Sequence, residues 1–211
     1  MTTAIILMAG MGSRMQATTN KMLLQIEGVP LYEMAINLFK GKVQEILLVV
    51  SEVDYPFLEN LNLGYKLVIG GKTRQESVLN ALKEVKTDRV LIHDGARILT
   101  PAKIIDAALK TNANAYFVAT KVIPTIRYDE TKGFQTLDRN HLLEVQTPQG
   151  GNTALFLHSA LAAYENKVEV TDDISTLAIK DIEVIEGSPV NIKITTPFDL
   201  HLAKFLMKEG K

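Results

Sequence analysis

Five runs of nearly continuous apolar residues recur along the chain and predict buried strands. They are residues 4–9, 45–50, 65–70, 89–94 and 115–120. A strand with one face in water alternates apolar and polar residues, whereas these runs are apolar at successive positions. We therefore expect strands that are covered on both faces, as in a parallel sheet.

Amphipathic stretches between these runs predict helices. Residues 73–85 carry an apolar stripe at helical spacing, and Thr73 with Glu76 forms a capping-box pattern at their start. Thr100 is predicted to cap a second helix over residues 101–110. The chain thus alternates strand and helix, which is typical of an α/β fold.

The overall pattern predicts one domain, residues 1–211, with a doubly wound, mostly parallel sheet that binds ligands at the carboxyl ends of its strands. Thr196 signals a closing helix over residues 197–208. The alternation breaks at residues 121–147, where β-rich pieces separated by turns predict a projecting arm. Because a two-stranded extension is marginally stable alone, we expect the arm to pack on something, such as a second subunit. A plain surface extension is the alternative.

Composition excludes several classes of protein. The 211 residues include no cysteine, which excludes a disulfide scaffold, a thiolate zinc site and a cysteine nucleophile. The 23 Lys and Arg against 24 Asp and Glu give a formal net charge of −1, which argues against a nucleic-acid binder. No targeting segment or membrane-spanning run is visible, so we expect a cytoplasmic protein.

The first candidate site follows the first predicted strand, where residues 9–14 read Ala-Gly-Met-Gly-Ser-Arg and Lys21 comes seven residues later. Glycines let the backbone approach phosphates, while Arg14 and Lys21 would neutralise phosphate charge. A dinucleotide fingerprint needs a third glycine where Met15 stands, and the sequence has no GKS or GKT of a Walker A loop. A simple strand-to-loop turn is the alternative.

Two further candidates follow later strands. Residues 70–78 read Gly-Gly-Lys-Thr-Arg-Gln-Glu-Ser-Val, a glycine pair followed by a helix N-terminus that suits an anionic group. Residues 93–97 read His-Asp-Gly-Ala-Arg, in which Asp94 suits Mg²⁺ shared with substrate phosphates or, alternatively, pairs with Arg97. His93 lies inside an apolar strand, so we expect a core histidine whose hydrogen bonds are satisfied.

The last candidates are near the C-terminus. They are the Thr-Pro-Gln at 147–149, a predicted helix start at 171–173, and a predicted strand at 191–195. Lysine is depleted in half-buried strands, so Lys193 at the centre of that strand needs a partner or a ligand. A lysine that snorkels to solvent is the alternative.

Together, in this order and spacing, these motifs resemble the methylerythritol-phosphate cytidylyltransferases over nearly the whole chain. The family has a Rossmann-like nucleotidyltransferase fold. Its reaction joins CTP and a polyol phosphate to give a CDP-polyol and pyrophosphate, with Mg²⁺ and without a covalent enzyme intermediate. The resemblance therefore implies an enzyme that positions phosphates and stabilises their charge.

The resemblance implies a role for each matched position. The catalytic residues would be Arg14, Lys21 and Lys193. The nucleotide would contact Ala9, Gly10, Gly12, Gly71, Lys72, Arg74 and Ser77. The acceptor would contact Asp94, Arg97, Thr125, Arg139, Thr147 and Thr171, with Asp94 also holding Mg²⁺. Thr125 and Arg139 would act on the neighbouring subunit's site, which implies a homodimer through the arm.

Some positions depart from the family's usual pattern, and two other activities stay open. Asn20-Lys21-Met22 replaces the usual Pro-Lys-Gln, while Ile98 and Pro124 also differ from the usual residues. The sister ribitol-5-phosphate cytidylyltransferases are one alternative, although the His-Asp-Gly-Ala-Arg form and the short length favour methylerythritol phosphate. A non-catalytic nucleotide-binding relative is the other, which would have little reason to keep all five charged positions, Arg14, Lys21, Asp94, Arg97 and Lys193.

Overall fold

The computed structural model describes residues 1–10, 20–130 and 133–210. The described strands are β1 (Thr2–Leu7), β2 (Gln25–Ile26), β3 (Val29–Pro30), β4 (Glu45–Val50), β5 (Lys66–Ile69), β6 (Arg89–Asp94), β7 (Ala115–Lys121), β8 (Arg127–Glu130), β9 (Gly133–Thr136), β10 (Leu143–Asn152) and β11 (Glu183–Glu186). The described helices are α1 (Leu31–Asn37), α2 (Tyr55–Asn60), α3 (Arg74–Leu82), α4 (Ala102–Lys110), α5 (Thr153–Glu165) and α6 (Pro197–Lys208), with short 3-10 helices at Lys21–Leu23 and Arg139–His141. None of the helices in these ranges is both long enough and apolar enough to cross a membrane.

Seven of the described strands form one sheet in the order β11-β7-β10-β6-β1-β4-β5. β1 lies between β4 and β6 and is parallel to both, while β10 runs antiparallel to β6 and to β7. Because β11 is parallel to β7, β10 alone among the seven runs in the opposite direction. The predicted doubly wound, mostly parallel α/β fold is confirmed.

Successive residues of the central strands enter two separate cores, which explains the continuous apolar runs. Ala4 and Ile6 of β1 pack in a cluster with residues of α1, α4 and α6. Ile5, between them, packs in a second cluster with residues of α3 and α5. Both faces of the sheet are thus covered by helices, and all three side chains are fully buried.

Most predicted element bounds agree with the structure. The strands at 45–50 and 89–94 and the helix at 197–208 are confirmed to the residue, and Thr196 caps that helix in a capping box with Asp199. The first strand begins at Thr2 because Thr2 pairs with Arg89 of β6, and it ends at Leu7. Its predicted last residues therefore leave the sheet at its carboxyl edge.

Three local predictions were wrong because tertiary hydrogen bonds replace the expected local ones. Thr100 does not cap α4; its Oγ1 instead donates to Asn191 Oδ1 at 2.7 Å. Residues 171–173 form bends rather than a helix start. Residues 191–195 are not part of a strand, and Ile194 N donates to the Ala96 carbonyl instead.

The predicted β-arm is confirmed as a structural feature. β8 and β9 form a separate antiparallel hairpin. The start of β10 pairs with the end of β7, with Leu143 opposite Lys121. Ile123 and Phe134 expose 77% and 69% of their surface, and Tyr128 is also exposed. Apolar exposure of this kind is typical of interaction surfaces, and dimerisation through the arm stays a prediction.

Candidate functional site

A cleft of about 660 Å³ opens at the carboxyl ends of the parallel strands. One wall is the end of β1 and the 3-10 helix that begins at Lys21, and another is the loop between β5 and α3. Of the predicted site residues, those that line it are Ala9, Gly10, Lys21, Gly71, Lys72, Arg74, Ser77, Asp94 and Lys193. The motifs that follow β1, β5 and β6 thus meet in one place because parallel strands end at the same edge.

Asp94, the last residue of β6, is the electrostatic centre of the cleft. Its carboxylate lies 2.9 Å from Lys193 Nζ, 3.3 Å from Arg74 Nε and 3.5 Å from Arg97 Nε. Burial alone would raise the pKa of Asp94, but the three cations outweigh it and hold the pKa well below its usual range. The site therefore contains a carboxylate that is ionised near pH 7 and is paired with three cations.

Arg74 is held by a second carboxylate that sequence analysis missed. Its guanidinium donates to both oxygens of Asp173, at 2.8 and 2.7 Å, in addition to its contact with Asp94. Burial would lower the pKa of Arg74, yet the two carboxylates outweigh it and raise the pKa. The Asp173 backbone amide donates to Gln149 Oε1 at 2.9 Å, and this bond holds Asp173 in place. The only sequence signal for Asp173 was its place in the 171–173 motif.

A buried polar network holds the segment that carries Lys193. Asn191 is fully buried, and its side-chain amide donates to Gln146 Oε1 and to the Thr147 carbonyl, both at 3.0 Å. Its backbone carbonyl accepts from Arg97 Nη1 at 2.6 Å. A buried asparagine whose side-chain amide and backbone carbonyl all make hydrogen bonds has little freedom to move. The network therefore fixes Arg97 and Lys193 relative to each other without a strand.

His93 is the satisfied core histidine that the sequence predicted. Thr147 Oγ1 accepts from the Asp94 amide at 3.1 Å, so its hydrogen is available for His93 Nδ1, also 3.1 Å away. That assigns the ring proton to Nε2, which lies 3.2 Å from the Arg97 carbonyl. Burial lowers the pKa of His93 to about 4, so the ring is neutral near pH 7 and supports Asp94 without contributing charge.

The loop between β5 and α3 closes on its own side chains. Gly71 N donates to Ser77 Oγ at 3.0 Å, and Lys72 N donates to Glu76 Oε2 at 2.6 Å. A Cβ on Gly71 would lie 2.2 Å from Glu76 Cβ, so any larger residue would force the loop open. Thr73 caps α3 as predicted, by accepting from Glu76 N, but Glu76 Oε2 accepts from Lys72 N and not from Thr73 N, so only half of the predicted capping box forms. The loop presents backbone and a lysine to the cleft at a helix N-terminus, where anions bind favourably.

Lys21 contacts the segment that carries Lys193. Its Nζ donates to the Ile194 carbonyl at 3.0 Å. Ile194 N in turn donates to the Ala96 carbonyl, in the loop after Asp94. Lys21, Lys193 and the Asp94 loop are thus connected within one cation-rich site.

Comparison with known proteins identifies the family. The sequence matches the family described as 2-C-methyl-D-erythritol 4-phosphate cytidylyltransferase over residues 2–209. The chain belongs to this family. It is 38% identical to the enzyme of that name from Prochlorococcus marinus (strain MIT 9215), with 95% of this chain and 96% of the relative aligned, and 37% identical to the one from Clostridium acetobutylicum, at 100% and 99%.

Solved structures agree with this assignment. The 4-diphosphocytidyl-2C-methyl-D-erythritol synthase of Anaerococcus prevotii superposes with a TM-score of 0.84 at 26% identity, covering 98% of this chain and 96% of that one. The 2-C-methyl-D-erythritol 4-phosphate cytidylyltransferase of Thermus thermophilus gives 0.81 at 28% identity, covering 97% and 98%. As a cytidylyltransferase the chain is an enzyme of the nucleotidyltransferase class.

The predicted acceptor residues are not all gathered in the cleft of this cytidylyltransferase. Thr125 and Arg139 are exposed in the arm, and Thr171 is exposed beside the Asp173 turn. Thr147 is 3% exposed, and its hydroxyl accepts a hydrogen bond from the Asp94 amide. Two other predicted site residues, Gly12 and Arg14, lie outside the described ranges.

The donor set suits a metal ion that arrives with substrate. In the described part of the chain no three acidic or histidine side chains are grouped as ligands for one ion. Asp94 is an ionised carboxylate on the cleft wall, and Mg²⁺ in phosphate-transfer sites commonly takes one or two carboxylates plus substrate oxygens. The residues present therefore fit Mg²⁺ held jointly by Asp94 and a nucleotide.

Proposed function

We propose that this protein joins CTP and 2-C-methyl-D-erythritol 4-phosphate to give the CDP-polyol and pyrophosphate. The observation that carries the proposal is the ionised Asp94 surrounded by Arg74, Arg97 and Lys193 in a cleft that Lys21 also lines. The cations of such a site would bind phosphates and neutralise their charge. An acceptor phosphate oxygen would bond to the α-phosphorus of CTP as the bond from that phosphorus to the β-phosphate's bridging oxygen breaks.

The nucleotide is proposed to occupy the space between the end of β1 and the loop before α3. Ala9 and Gly10 would lie along the phosphates, since both line the cleft at the end of β1. Gly71, Lys72 and Ser77 would line the base site. Arg74, clamped by Asp173, would brace that loop against Asp94.

Lys21 and Lys193 are proposed as the catalytic cations, with Arg14 as a third. Lys21 and Lys193 both line the cleft, and Lys193 pairs with Asp94 at 2.9 Å. Negative charge that builds on the phosphates during transfer would be stabilised by both lysines. Electrostatic stabilisation of this kind supplies most of the rate acceleration in such reactions. Mg²⁺, held by Asp94 and the phosphates, would supply further positive charge there.

The acceptor is proposed to bind between Arg97 and the arm of a second subunit. Thr125 and Arg139 are exposed and lie in the arm, as residues that serve a neighbouring site would. Thr147 would act through Asp94 instead, because its hydroxyl is already engaged by Asp94 N and His93. Thr171 would meet the acceptor at the edge of the cleft.

The assignment is tested by supplying two acceptors side by side. Pyrophosphate release from CTP is expected with 2-C-methyl-D-erythritol 4-phosphate and Mg²⁺, and at least about tenfold less with ribitol 5-phosphate in kcat/KM, because a site built to bond a substrate's hydroxyl groups rejects a mismatched polyol. Release with ribitol 5-phosphate alone would move the assignment to the sister activity. Release with neither would leave a non-catalytic nucleotide-binding protein.

Replacement of Arg139 by alanine is expected to weaken acceptor binding. A charge-assisted hydrogen bond to the acceptor phosphate is worth enough to raise the acceptor KM by about ten- to a hundredfold. The KM for CTP should not change, and Arg127→Ala, in the same arm, is the matched control. Steady-state kinetics in both substrates measure this. A rise in the CTP KM instead would show that the arm serves the nucleotide.

Action in trans has its own test, in which Arg139→Ala and Lys21→Ala chains are co-expressed. Mixed dimers would contain one site with an intact lysine and an intact arm. At an acceptor concentration well below the wild-type KM, where Arg139→Ala homodimers contribute little, activity should recover to about a quarter of wild type under random pairing. No recovery would mean that Arg139 serves its own subunit.

A further inference from the structure

Asn20 links three separate parts of the molecule immediately before Lys21. Its amide nitrogen donates to the Met8 carbonyl, just beyond β1, at 3.2 Å and to Asp54 Oδ2, before α2, at 2.6 Å. Its Oδ1 accepts from Met22 N at 2.9 Å and caps the 3-10 helix that Lys21 begins. Asn20 is 9% exposed, so these bonds are largely shielded from water.

The bond to Asp54 continues into the wall of the cleft. Ser51 Oγ also donates to Asp54 Oδ2, and the Asp54 amide returns a bond to Ser51 Oγ at 3.1 Å. Ser51 lines the cleft, as does Lys21 on the other side of Asn20. A continuous chain of hydrogen bonds therefore joins the Ser51 wall, through Asp54 and Asn20, to the helix that carries Lys21.

We propose that Asn20 is a positioning residue, which holds Lys21 on the Ile194 carbonyl and so aims its ammonium into the cleft. The inference deepens the proposed function, since it assigns a cause to the placement of one of its catalytic cations. Lys21 has a long flexible stem, and its Nζ meets Ile194 only if the backbone at residue 21 is fixed. Asn20 supplies that fixation from β1 and from α2 at once.

Only an amide matches this set of partners. Two acceptors, the Met8 carbonyl and the Asp54 carboxylate, need two hydrogens, while Met22 N needs a lone pair. Aspartate would keep the cap but could donate to neither acceptor, and its charge would face Asp54 across 2.6 Å. A serine or threonine hydroxyl could still accept from Met22 N, but it has one hydrogen for two acceptors and a shorter side chain to reach them. The geometry therefore distinguishes asparagine from its closest replacements.

The test is a double-mutant cycle of Asn20→Asp, Asp54→Asn and both together, with Asn166→Asp as the matched control. Asn166 donates a single bond to the Ala162 carbonyl at the end of α5. Asn20→Asp is expected to lower kcat by about tenfold or more, with the CTP KM changed less than about threefold. The double variant restores a bond of reversed polarity between positions 20 and 54, and it should recover about tenfold over Asn20→Asp alone.

A second readout follows Lys21 without relying on turnover. Acylation by an amine-directed reagent, measured by mass spectrometry of the peptide that holds Lys21, should be faster in Asn20→Asp and return toward wild type in the double variant. Unchanged acylation together with wild-type kcat would overturn the role of Asn20. Absence of pyrophosphate release from the wild-type protein would reject the proposed function, while the acylation result would still decide the positioning role.

Variant folding is checked by thermal unfolding, and all rates are taken well below each midpoint. If Asn20→Asp does not fold, Asn20→Ser replaces it, because serine keeps the cap and loses the amide. Lower kcat and faster Lys21 acylation in that variant would support the proposal. Wild-type values of both would overturn it.

Discussion

Replacement of Lys21 by alanine is expected to lower kcat by about 10²–10³-fold while the CTP KM changes less than about threefold. The ammonium is placed on the Ile194 carbonyl, across the cleft from the loop before α3. Its attraction to the phosphates should grow as charge builds during transfer, and interactions that strengthen in the transition state change turnover rather than binding.

Steady-state kinetics with CTP varied at saturating acceptor would measure this effect. Lys42→Ala is the control, since Lys42 pairs with Asp106 on the surface and should contribute nothing to turnover. A Lys21→Ala variant with normal kcat and weakened CTP binding would make Lys21 a simple phosphate clamp. Normal values of both would remove it from the site.

Asp94→Asn is expected to lower kcat by at least about a hundredfold and to raise the Mg²⁺ concentration needed for half-maximal rate. The change keeps the shape and the amide bond to Thr147 but removes the charge that three cations face. Arg74 keeps Asp173 as a partner, whereas Lys193 and Arg97 lose their only carboxylate among the described ion pairs. Both would then be free to move away from their working positions.

The same variant should also be less stable, by about 3 kcal/mol in free energy of unfolding, because removing one member of a buried ion cluster leaves the other charges uncompensated. In the wild type the pKa of Asp94 is lower in the folded than in the unfolded chain. Its contribution is therefore complete above about pH 4 and is lost as pH falls below that value.

Urea unfolding of Asp94→Asn beside Asp106→Asn would isolate this effect, since Asp106 is an exposed partner of Lys42. The control should differ from wild type by less than about 0.5 kcal/mol. Wild-type turnover in Asp94→Asn would contradict both the metal role and the idea that this carboxylate organises the cations.

Several elements were predictable because their determinants are local or periodic. Strands 45–50 and 89–94 are apolar on both faces, and runs of that length and pattern favour strands in a sheet covered on both sides. Thr196 with Asp199 completes a capping box within four residues, so the start of α6 could be located without tertiary information. The motifs after β1, β5 and β6 were expected to converge because the carboxyl ends of parallel strands share an edge.

The errors share a different cause. The side chain of Thr100 bonds to Asn191, 91 positions away, and the side chain of Asp173 bonds to Arg74, 99 positions away. Such bonds offer the backbone an alternative to a cap, a strand or a helix, and nothing within a short window of sequence signals them. Asp173 was missed as a site residue for the same reason, since its partner belongs to the helix after β5.

The sequence by itself determined the layers of this protein, its arm and the strand-end motifs that meet in the cleft, because hydrophobic period, caps and glycine-bearing strand ends are properties of neighbouring residues. Only the tertiary structure decided that Asp94 collects three cations, that Asp173 clamps Arg74, and that Asn20 ties Lys21 to β1 and α2. The reason is physical: the ionisation of a carboxylate and the aim of a lysine depend on distances between charges and donors, and folding sets those distances among residues far apart in the chain.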